Sequence, residues 1–508
     1  MKPLLFNIVL SFFILSNCTA NKTFYVDING SDSTGDGSVE SPWRTIQYAV
    51  TKIPADENCN LKLSAGIFEE SVYLTIPSGV NVQGEGQNLT VLKSHPSLHS
   101  KDSSWQADKF LLNLSGSGGN QTVRDLTIDG NSKGLYGGIM VRGRSNIIIQ
   151  RVGIHSCHFT GIWLWDAIDC RVTELTLENN TWGSGSGSSG SIMLTGGKGI
   201  EIDHLKINEE LGQALDVVAG KLIDLKLHDN YFSVSPKGNW TLPSGQIPPN
   251  ICVEMFNADL TNVEIYNNYF DNSLSMANSL SERTGLRTVH VYNNVFDLQK
   301  RANGEGYGIE LSINDVEIAH NYFLGGKSGI VNWEKEGSPP RRGWKIHHNV
   351  FYGMGSRYPS GVINFYKSGI DGASIYNNTV EMIGASTISF IEINTGGVAK
   401  NMKIENNLII NSNSSYDHFP NKFINIINAT MQNVSVKNNF LENLEFDTLN
   451  NLQFFNNYIG SSDIQKSGSR PRPYYTPKQD SPLVDAGLIV GSNFNGSAPD
   501  IGAFEVEK

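Results

Sequence analysis

An all-β parallel solenoid is the fold class this sequence predicts, and three observations predict it. Short alternating runs keep ending in Asn followed by an apolar pair: VEIYNNYF, VHVYNNVF, VEIAHNYF and KIHHNVF. The endings recur at a nearly constant step. From Asn268 through Asn294, Asn321, Asn349, Asn378 and Asn407 to Asn439 the intervals are 26, 27, 28, 29, 29 and 32 residues. No unit carries a 3.6-residue apolar period, so the runs read as strands and not helices. Self-similarity at a step of about 20 to 50 residues marks a stacked array. Two or three short strands per turn, with Asn at a corner, describe a parallel β-helix. A β-sandwich would supply as many turns, but not this regular a step.

Each element then has a local reason. Asn131, Asn180, Asn208 and Asn230 extend the series toward the N-terminus. Asn suits a corner because it tolerates left-handed backbone, and its amide can bond along a ladder of equivalent side chains. Length alone, 508 residues, would suggest two or more domains, but stacked units share one continuous core. Charged residues make up 18% and hydrophobic ones 39%, a globular and turn-rich balance. The net charge is −11, with no basic block or basic–aromatic stripe, which argues against a nucleic-acid partner.

The N-terminus, MKPLLFNIVLSFFILSNCTA, has one Lys, an apolar run from Pro3 to Leu15 and then small residues. This reads as a secretory signal over residues 1–20, too short to span a bilayer. Two readings of Cys18 stand: a lipid-modified N-terminus, since Leu15-Ser16-Asn17-Cys18 resembles a bacterial lipobox, or removal with the signal after Ala20. Export to the periplasm, the outer membrane or the medium is expected, as is a monomer. Cys59, Cys157, Cys170 and Cys252 lack any C-x-x-C spacing and read as small buried hydrophobes, with a disulfide open to an exported chain. Asp27, Asn29, Asp32 and Asp36 lack the spacing of a calcium loop and read as a solvated turn. The expected organisation is an N-terminal cap with first coils over 21–120, a β-helix core over 121–460 and a C-terminal cap over 461–508.

On these residues the chain resembles the right-handed parallel β-helix superfamily of pectate lyases, polygalacturonases and related carbohydrate-active enzymes. The opening TFYVDINGSDSTGDGSVESPWRTIQYAV and the closing SPLVDAGLIVGSNFNGSAPDIGAFE resemble segments common in exported bacterial members. The resemblance implies a right-handed, single-stranded solenoid with a cap helix from about Thr45. It implies little about reaction, because this fold hosts lyases, hydrolases, epimerases, esterases and adhesins. The polygalacturonase set Asn-Thr-Asp, Asp-Asp, His-Gly and Arg-x-Lys is missing, and so is the alginate epimerase motif Asp-Pro-His-Asp.

The chemistry is sought on the outward side of one strand per coil, since side chains alternate in and out and coils stack about 4.8 Å apart. Aligning GIMVRG, GIWLWD, SIMLTG, ALDVVA, CVEMFN, SLSMAN, GIELSI, GIVNWE, GVINFY and FIEIN gives two outward columns. The first runs Met140, Trp163, Met193, Asp216, Glu254, Ser275, Glu310, Val331, Ile363, Glu392. The second contains Arg142, Trp165, Thr195, Val218, Phe256, Ala277, Ser312, Trp333, Phe365 and Asn394. Asp216, Glu254 and Glu310 therefore share one file, beside Trp163, Trp165, Phe256, Trp333 and Phe365. Aromatic faces pack on sugars and carboxylates move protons; the plainer reading is a solvated acidic face.

Spacing bears on mechanism. Asp216 and Glu254, on adjacent coils, fall at roughly 5 Å, the separation of retaining glycosidases; Glu254 and Glu310, two coils apart, fall at roughly 9 to 10 Å, near the inverting limit. Like charges this close raise at least one pKa, which suits a general acid. Glu254 is assigned as the acid and Asp216 or Glu310 as base or nucleophile. Arg142, Arg283, Arg287, Lys300 and Arg301 are candidates for acidic sugar groups, and Trp240 in the 233–250 insertion for an overhanging contact. His155 and His158 read as structural.

The expected function is hydrolysis of a plant or algal polysaccharide or oligosaccharide without a cofactor. The alternative is a polysaccharide lyase, in which the carboxylates hold Ca²⁺ against a uronate and a loop Lys or Arg is the base. A third reading is a non-catalytic glycan-binding or adhesin β-helix.

Overall fold

The computed structural model describes residues 22–55, 58–100, 104–181, 189–234, 251–256, 258–276, 289–299, 306–333, 338–354, 360–367, 369–382, 387–394, 396–412, 422–444, 446, 452–465, 475–491 and 493–506. The signal segment, Cys18, Ala277, Trp240, Arg283, Arg287, Lys300 and Arg301 lie outside these residues.

The chain winds into a parallel β-helix in which strands of one coil pair in register with those of the next. Three strand files run up the stack. The first includes Cys157–Trp165, Gly190–Lys198, Ile251–Met255, Ser273–Met276, Tyr307–Leu311, Ser328–Trp333, Ser360–Tyr366 and Thr387–Asn394. The second includes Val289–Tyr292, Val316–Ala319, Lys345–His347, Ser374–Tyr376 and Lys403–Glu405, and the third Tyr269–Phe270, Val295–Asp297, Tyr322–Leu324 and Val350–Tyr352. The long strand Gln213–His228 serves the first file at its start and the second at its end. Inward apolar side chains fill one continuous core, including the stacked column Phe270, Phe296, Phe323 and Phe351, with neighbouring ring centroids 4.7 to 4.9 Å apart.

The recurring Asn is a ladder. From Asn230 through Asn268, Asn294, Asn321, Asn349, Asn378, Asn407 and Asn439 to Asn457, each side-chain amide donates to the next Asn Oδ1 at 2.9 to 3.0 Å. The same Oδ1 accepts the preceding rung's backbone N–H, as in Asn294 to Asn321 at 3.0 Å. Each rung thus satisfies buried backbone that a turn would otherwise leave unpaired. Left-handed backbone belongs to the residue just before the rung: Asn267, Asn293, His320, His348, Asn377 and Asn406 all have φ between 49° and 57°. The two properties that favour Asn are therefore divided between adjacent positions. Asn208 is not a rung. It lies within the strand Lys206–Glu209, and Leu205 stands in the rung position of that coil, donating its backbone N–H to Asn230 Oδ1 at 2.9 Å.

The expected cap helix runs Ile46–Lys52, with the Thr45 hydroxyl accepting from the Tyr48 N–H and Ile46 and Ala49 buried. The Gly/Asp-rich loop before it is a turn: Asp32 Oδ1 accepts the Arg44 and Thr45 N–H groups at 2.8 and 3.0 Å. Cys59, Cys157, Cys170 and Cys252 are buried and unbridged.

The segment read as a C-terminal cap lies instead along the flank of the coil. Carbonyls of Asp500, Leu488 and Ala486 accept from Asn377, Asn406 and Asn438 at 2.9, 2.8 and 3.0 Å. Tyr475, Leu483 and Ile501 bury against Tyr322, Val350 and Leu408. The corner Asn amides thus find acceptors in the tail, and Asn406 also donates to Asn377 Oδ1 at 3.2 Å. The last strands leave Phe455, Tyr458 and Ile459 largely exposed.

Candidate active site

The first strand file brings the three carboxylates together as the alternation requires. Val253 and Met255 are fully buried, and Glu254 between them faces out. Strand register pairs Met193 with Asp216, Asp216 with Glu254, Glu254 with Ser275 and Ser275 with Glu310. Asp216 and Glu254 thus lie on adjacent coils, and Glu310 two coils above Glu254.

Their environments differ. Glu254 and Glu310 are half-buried, whereas Asp216 is 1% exposed. Glu254 Oε2 accepts from Gln213 Nε2 at 2.6 Å, and Glu310 Oε2 accepts from Ser275 Oγ at 2.9 Å. Asp216 Oδ2 is buried without a hydrogen-bond partner. Burial lifts the Asp216 carboxyl well above the ordinary carboxylate range, and the nearby Glu254 charge adds to it. Burial also raises Glu254, the Gln213 hydrogen bond opposes this, and Glu310 raises it further. Glu310 is raised by burial against the opposing Ser275 hydrogen bond. A buried carboxylate oxygen without a donor disfavours the charged form, so burial and the Glu254 charge act on Asp216 in the same direction.

The aromatic flank is smaller than expected. Trp163 faces out of the coil yet is fully buried, in a second apolar cluster with Phe110, Tyr136, Met140, Phe159 and Met193. Trp105 closes that cluster, its ring 5.4 Å from Trp163, and Trp163 Nε1 donates to Thr195 Oγ1 at 3.0 Å. Trp163 is therefore no sugar platform. Trp165 is half-buried and stacks on Trp163 at 5.2 Å. The exposed Arg142 covers Trp165 at 4.4 Å, three coils below Asp216 as expected. Phe256, 46% exposed, stands two residues beyond Glu254 and is the ring best placed for a ligand.

Farther up the file the register slips by one residue from the expected alignment. Val331 pairs with Asn364 and Trp333 with Tyr366, so Asn364 and Tyr366 face out. Phe365 points into the core, fully buried, 5.8 Å from the Trp344 ring, and Ile363 is likewise buried. Asn364 and Tyr366 make their phase the more polar one, so the strand's own alternation puts Ile363 and Phe365 inward; aligning the units on their initial Gly set the expected column one residue off. In the second column a bulge pairs Thr195 with Ala219, one residue past Val218. Trp333 contributes its strand backbone; its side chain lies outside the described residues.

Sequence reasoning missed several groups. Gln213 lies three residues before Asp216 and gives no signal of its own. Glu392 is in the expected column, but it is 2% exposed and lines a cavity of about 160 Å³ with Lys327, Asn364, Tyr366 and Asn394. Its carboxylate accepts from Asn364 at 3.2 Å and Asn394 at 3.0 Å. His155 lies beside Asp129, and His158 Nδ1 is 3.3 Å from the Lys133 carbonyl. Among metal-ligating side chains, Glu201, Asp203 and His228 cluster on the second file, but Arg171 already pairs with Asp203 at 2.6 Å.

Coil, ladder and outward file together define a right-handed parallel β-helix protein. Residues 111–296 match the family model described as "Right handed beta helix region". No curated protein sequence matches it. Solved structures with a similar fold include the mannuronan C-5 epimerase AlgE4 A-module of Azotobacter vinelandii, at 14% identity over 76% of this chain and 92% of that one, TM-score 0.39. Pectate lyase Pel9A aligns at 14% identity over 96% and 97%, TM-score 0.33. A tailspike protein of E. coli bacteriophage HK620 in complex with a pentasaccharide aligns at 12% identity over 83% and 79%, TM-score 0.43.

Proposed function

We propose that the protein is a carbohydrate-active enzyme, and specifically a glycoside hydrolase acting on a polysaccharide or oligosaccharide laid along the first strand file. The observation that carries this reading is the division of the three carboxylates by environment. Glu254 and Glu310 reach solvent, and Asp216 does not. The working pair is thus Glu254 as general acid and Glu310 as general base. Stacked two coils apart, they stand at roughly 9 to 10 Å, a separation that leaves room for a water and favours inversion. Glu254 lies between two acidic neighbours, which favours its protonated form and the role of donor to the leaving oxygen. Glu310, held by Ser275, would take the proton of the attacking water. Asp216, sealed beneath the surface, is out of reach of the substrate. Phe256 supplies an apolar face beside the acid, and the Glu392 cavity extends the groove along the same file. The N-terminal segment supports export of the enzyme, with Cys18 as a candidate lipid anchor.

The lyase alternative needs Ca²⁺ on these carboxylates and a basic residue beside them. Among the described residues no Lys or Arg occupies the centre of the file to serve as that base. The deciding experiment screens the purified protein on a polysaccharide panel, read for new reducing ends and for absorbance of unsaturated uronates, with and without chelator. Reducing ends that persist in chelator support hydrolysis. Unsaturated products that require added Ca²⁺ would establish the lyase reading, and saturable binding without products the non-catalytic one.

A further inference from the structure

The second strand file carries a cluster that the carboxylate site does not use. His320 and His348 occupy the left-handed corner position, φ 57° and 52°, where neighbouring coils place Asn293, Asn377 and Asn406. His347 ends the strand Lys345–His347 just before the second corner. One ring nitrogen from each of the three histidines falls within 4.8 Å of the others. The cluster opens on a cavity of about 860 Å³, walled on one side by Lys345 and Tyr376 and on the other by tail residues Leu488 to Gly491.

Hydrogen bonding orients His347 and brings it to His348, and ring stacking places His320 beside them. His347 Nε2 meets Glu317 Oε1 at 2.9 Å, so Nε2 carries the proton and Nδ1 the lone pair. Tyr376 stacks on the His347 ring at 4.6 Å and 10°, fixing its plane. His347 Nδ1 lies 2.9 Å from His348 Nδ1, and the His348 ring stacks on His320 at 4.9 Å. A carboxylate behind one imidazole nitrogen, with the other aimed at a shared point, is the arrangement that supports histidine as a metal ligand. The separation also fits. Two nitrogens 2.9 Å apart, each about 2.0 to 2.1 Å from one ion, subtend about 90° at it.

We propose that His320, His347 and His348 form a binding site for a divalent late first-row transition metal, Cu²⁺, Ni²⁺ or Zn²⁺, with Glu317 as the positioning residue behind His347. Three imidazoles select these ions over Ca²⁺ and Mg²⁺, which take oxygen ligands. A right-angle pair favours the tetragonal preference of Cu²⁺ and Ni²⁺. The remaining coordination positions face the cavity, where water completes the shell. His320 comes from one coil and His347 and His348 from the next, so the ion also ties two coils together beside the tail. The site is independent of the carboxylate file and of whatever reaction occurs there.

The test uses the full, tag-free chain, stripped with chelator and dialysed against Cu²⁺, Ni²⁺ and Zn²⁺ in turn, with bound metal counted by elemental analysis and affinity measured by competition. His348→Asn and His320→Asn are the informative variants, because Asn already holds this corner in other coils and preserves the fold. One equivalent bound is expected, with affinity falling at least 100-fold in His348→Asn and more than 10-fold in His320→Asn. Glu317→Gln should weaken binding by about 10- to 100-fold, the effect of losing a partner behind a ligand. His155→Asn, outside the cluster, should change nothing. Failure to bind one equivalent of any of the three ions, or binding that survives His348→Asn unchanged, overturns the proposal and leaves His347 and His348 as a hydrogen-bonded pair.

Discussion

Asp216 and Glu254 are register partners on neighbouring coils, yet one is sealed and the other reaches solvent. The apolar cluster around Trp163 rises along the outward file as far as Met193, the partner of Asp216 on the coil below. Asp216 therefore sits at the edge of that cover, and Glu254 is the first carboxylate beyond it.

Glu254→Gln keeps the side-chain shape and a hydrogen-bonding amide but cannot donate the catalytic proton. On a substrate identified by the panel, kcat should fall by roughly 10²-fold or more. The melting temperature should hardly move, since no core volume is lost. Glu178, exposed on another strand, is the control. Glu392 cannot serve as one, because its buried carboxylate organises Asn364 and Asn394. Near-normal turnover in Glu254→Gln would reduce the file to an acidic face.

Glu310 and Asp216 should separate cleanly. Glu310→Gln removes the base and should cost about as much as Glu254→Gln, whereas Asp216→Asn changes a sealed side chain that substrate does not reach and should retain most of kcat. Proton NMR of the first product should show the inverted anomer. A retained anomer, with Asp216→Asn as damaging as Glu254→Gln, would move the partner role to Asp216.

The Asn ladder should be weakest when broken in its middle. Asn321→Ala leaves the Asn294 backbone N–H without its acceptor and removes one of three acceptors of the Asn294 side-chain amide, at a cost of about 1 to 3 kcal/mol. Asn457→Ala, at the end of the ladder and partly exposed, should cost less. Chemical denaturation of the two variants checks the order.

Stability should fall as pH rises through the range in which Glu209 ionises. Glu209 is buried, receives the Asn180 N–H at 2.9 Å, and burial lifts its carboxyl from 4.5 to about 7. A carboxyl raised on folding contributes stability that is complete below its unfolded value and lost as pH climbs through its folded value. The melting temperature should therefore decline between about pH 4.5 and 7, and Glu209→Gln should flatten that decline. An equally steep slope in the variant would assign it to other groups, Glu70 first among them, since burial also raises its carboxyl to about 7.

The sequence by itself determined the coil, the rung positions from Asn230 to Asn439 and the shared file of Asp216, Glu254 and Glu310. These follow from strand alternation and a regular step, which act between near neighbours and repeat in every unit. Only the tertiary structure decided which outward residues are covered. Trp163 and Asp216 obey the alternation, but Trp105 and Phe110, dozens of residues earlier, bring the cover. Phe365 lies inward, against Trp344, because its strand pairs one residue out of step with the Gly-aligned units, an offset that only the stacked coils show. The three histidines gave only a faint signal, His in place of Asn at two corners. Their convergence depends on the stacking of two coils and on Glu317 and Tyr376, which neither spacing nor composition brings together.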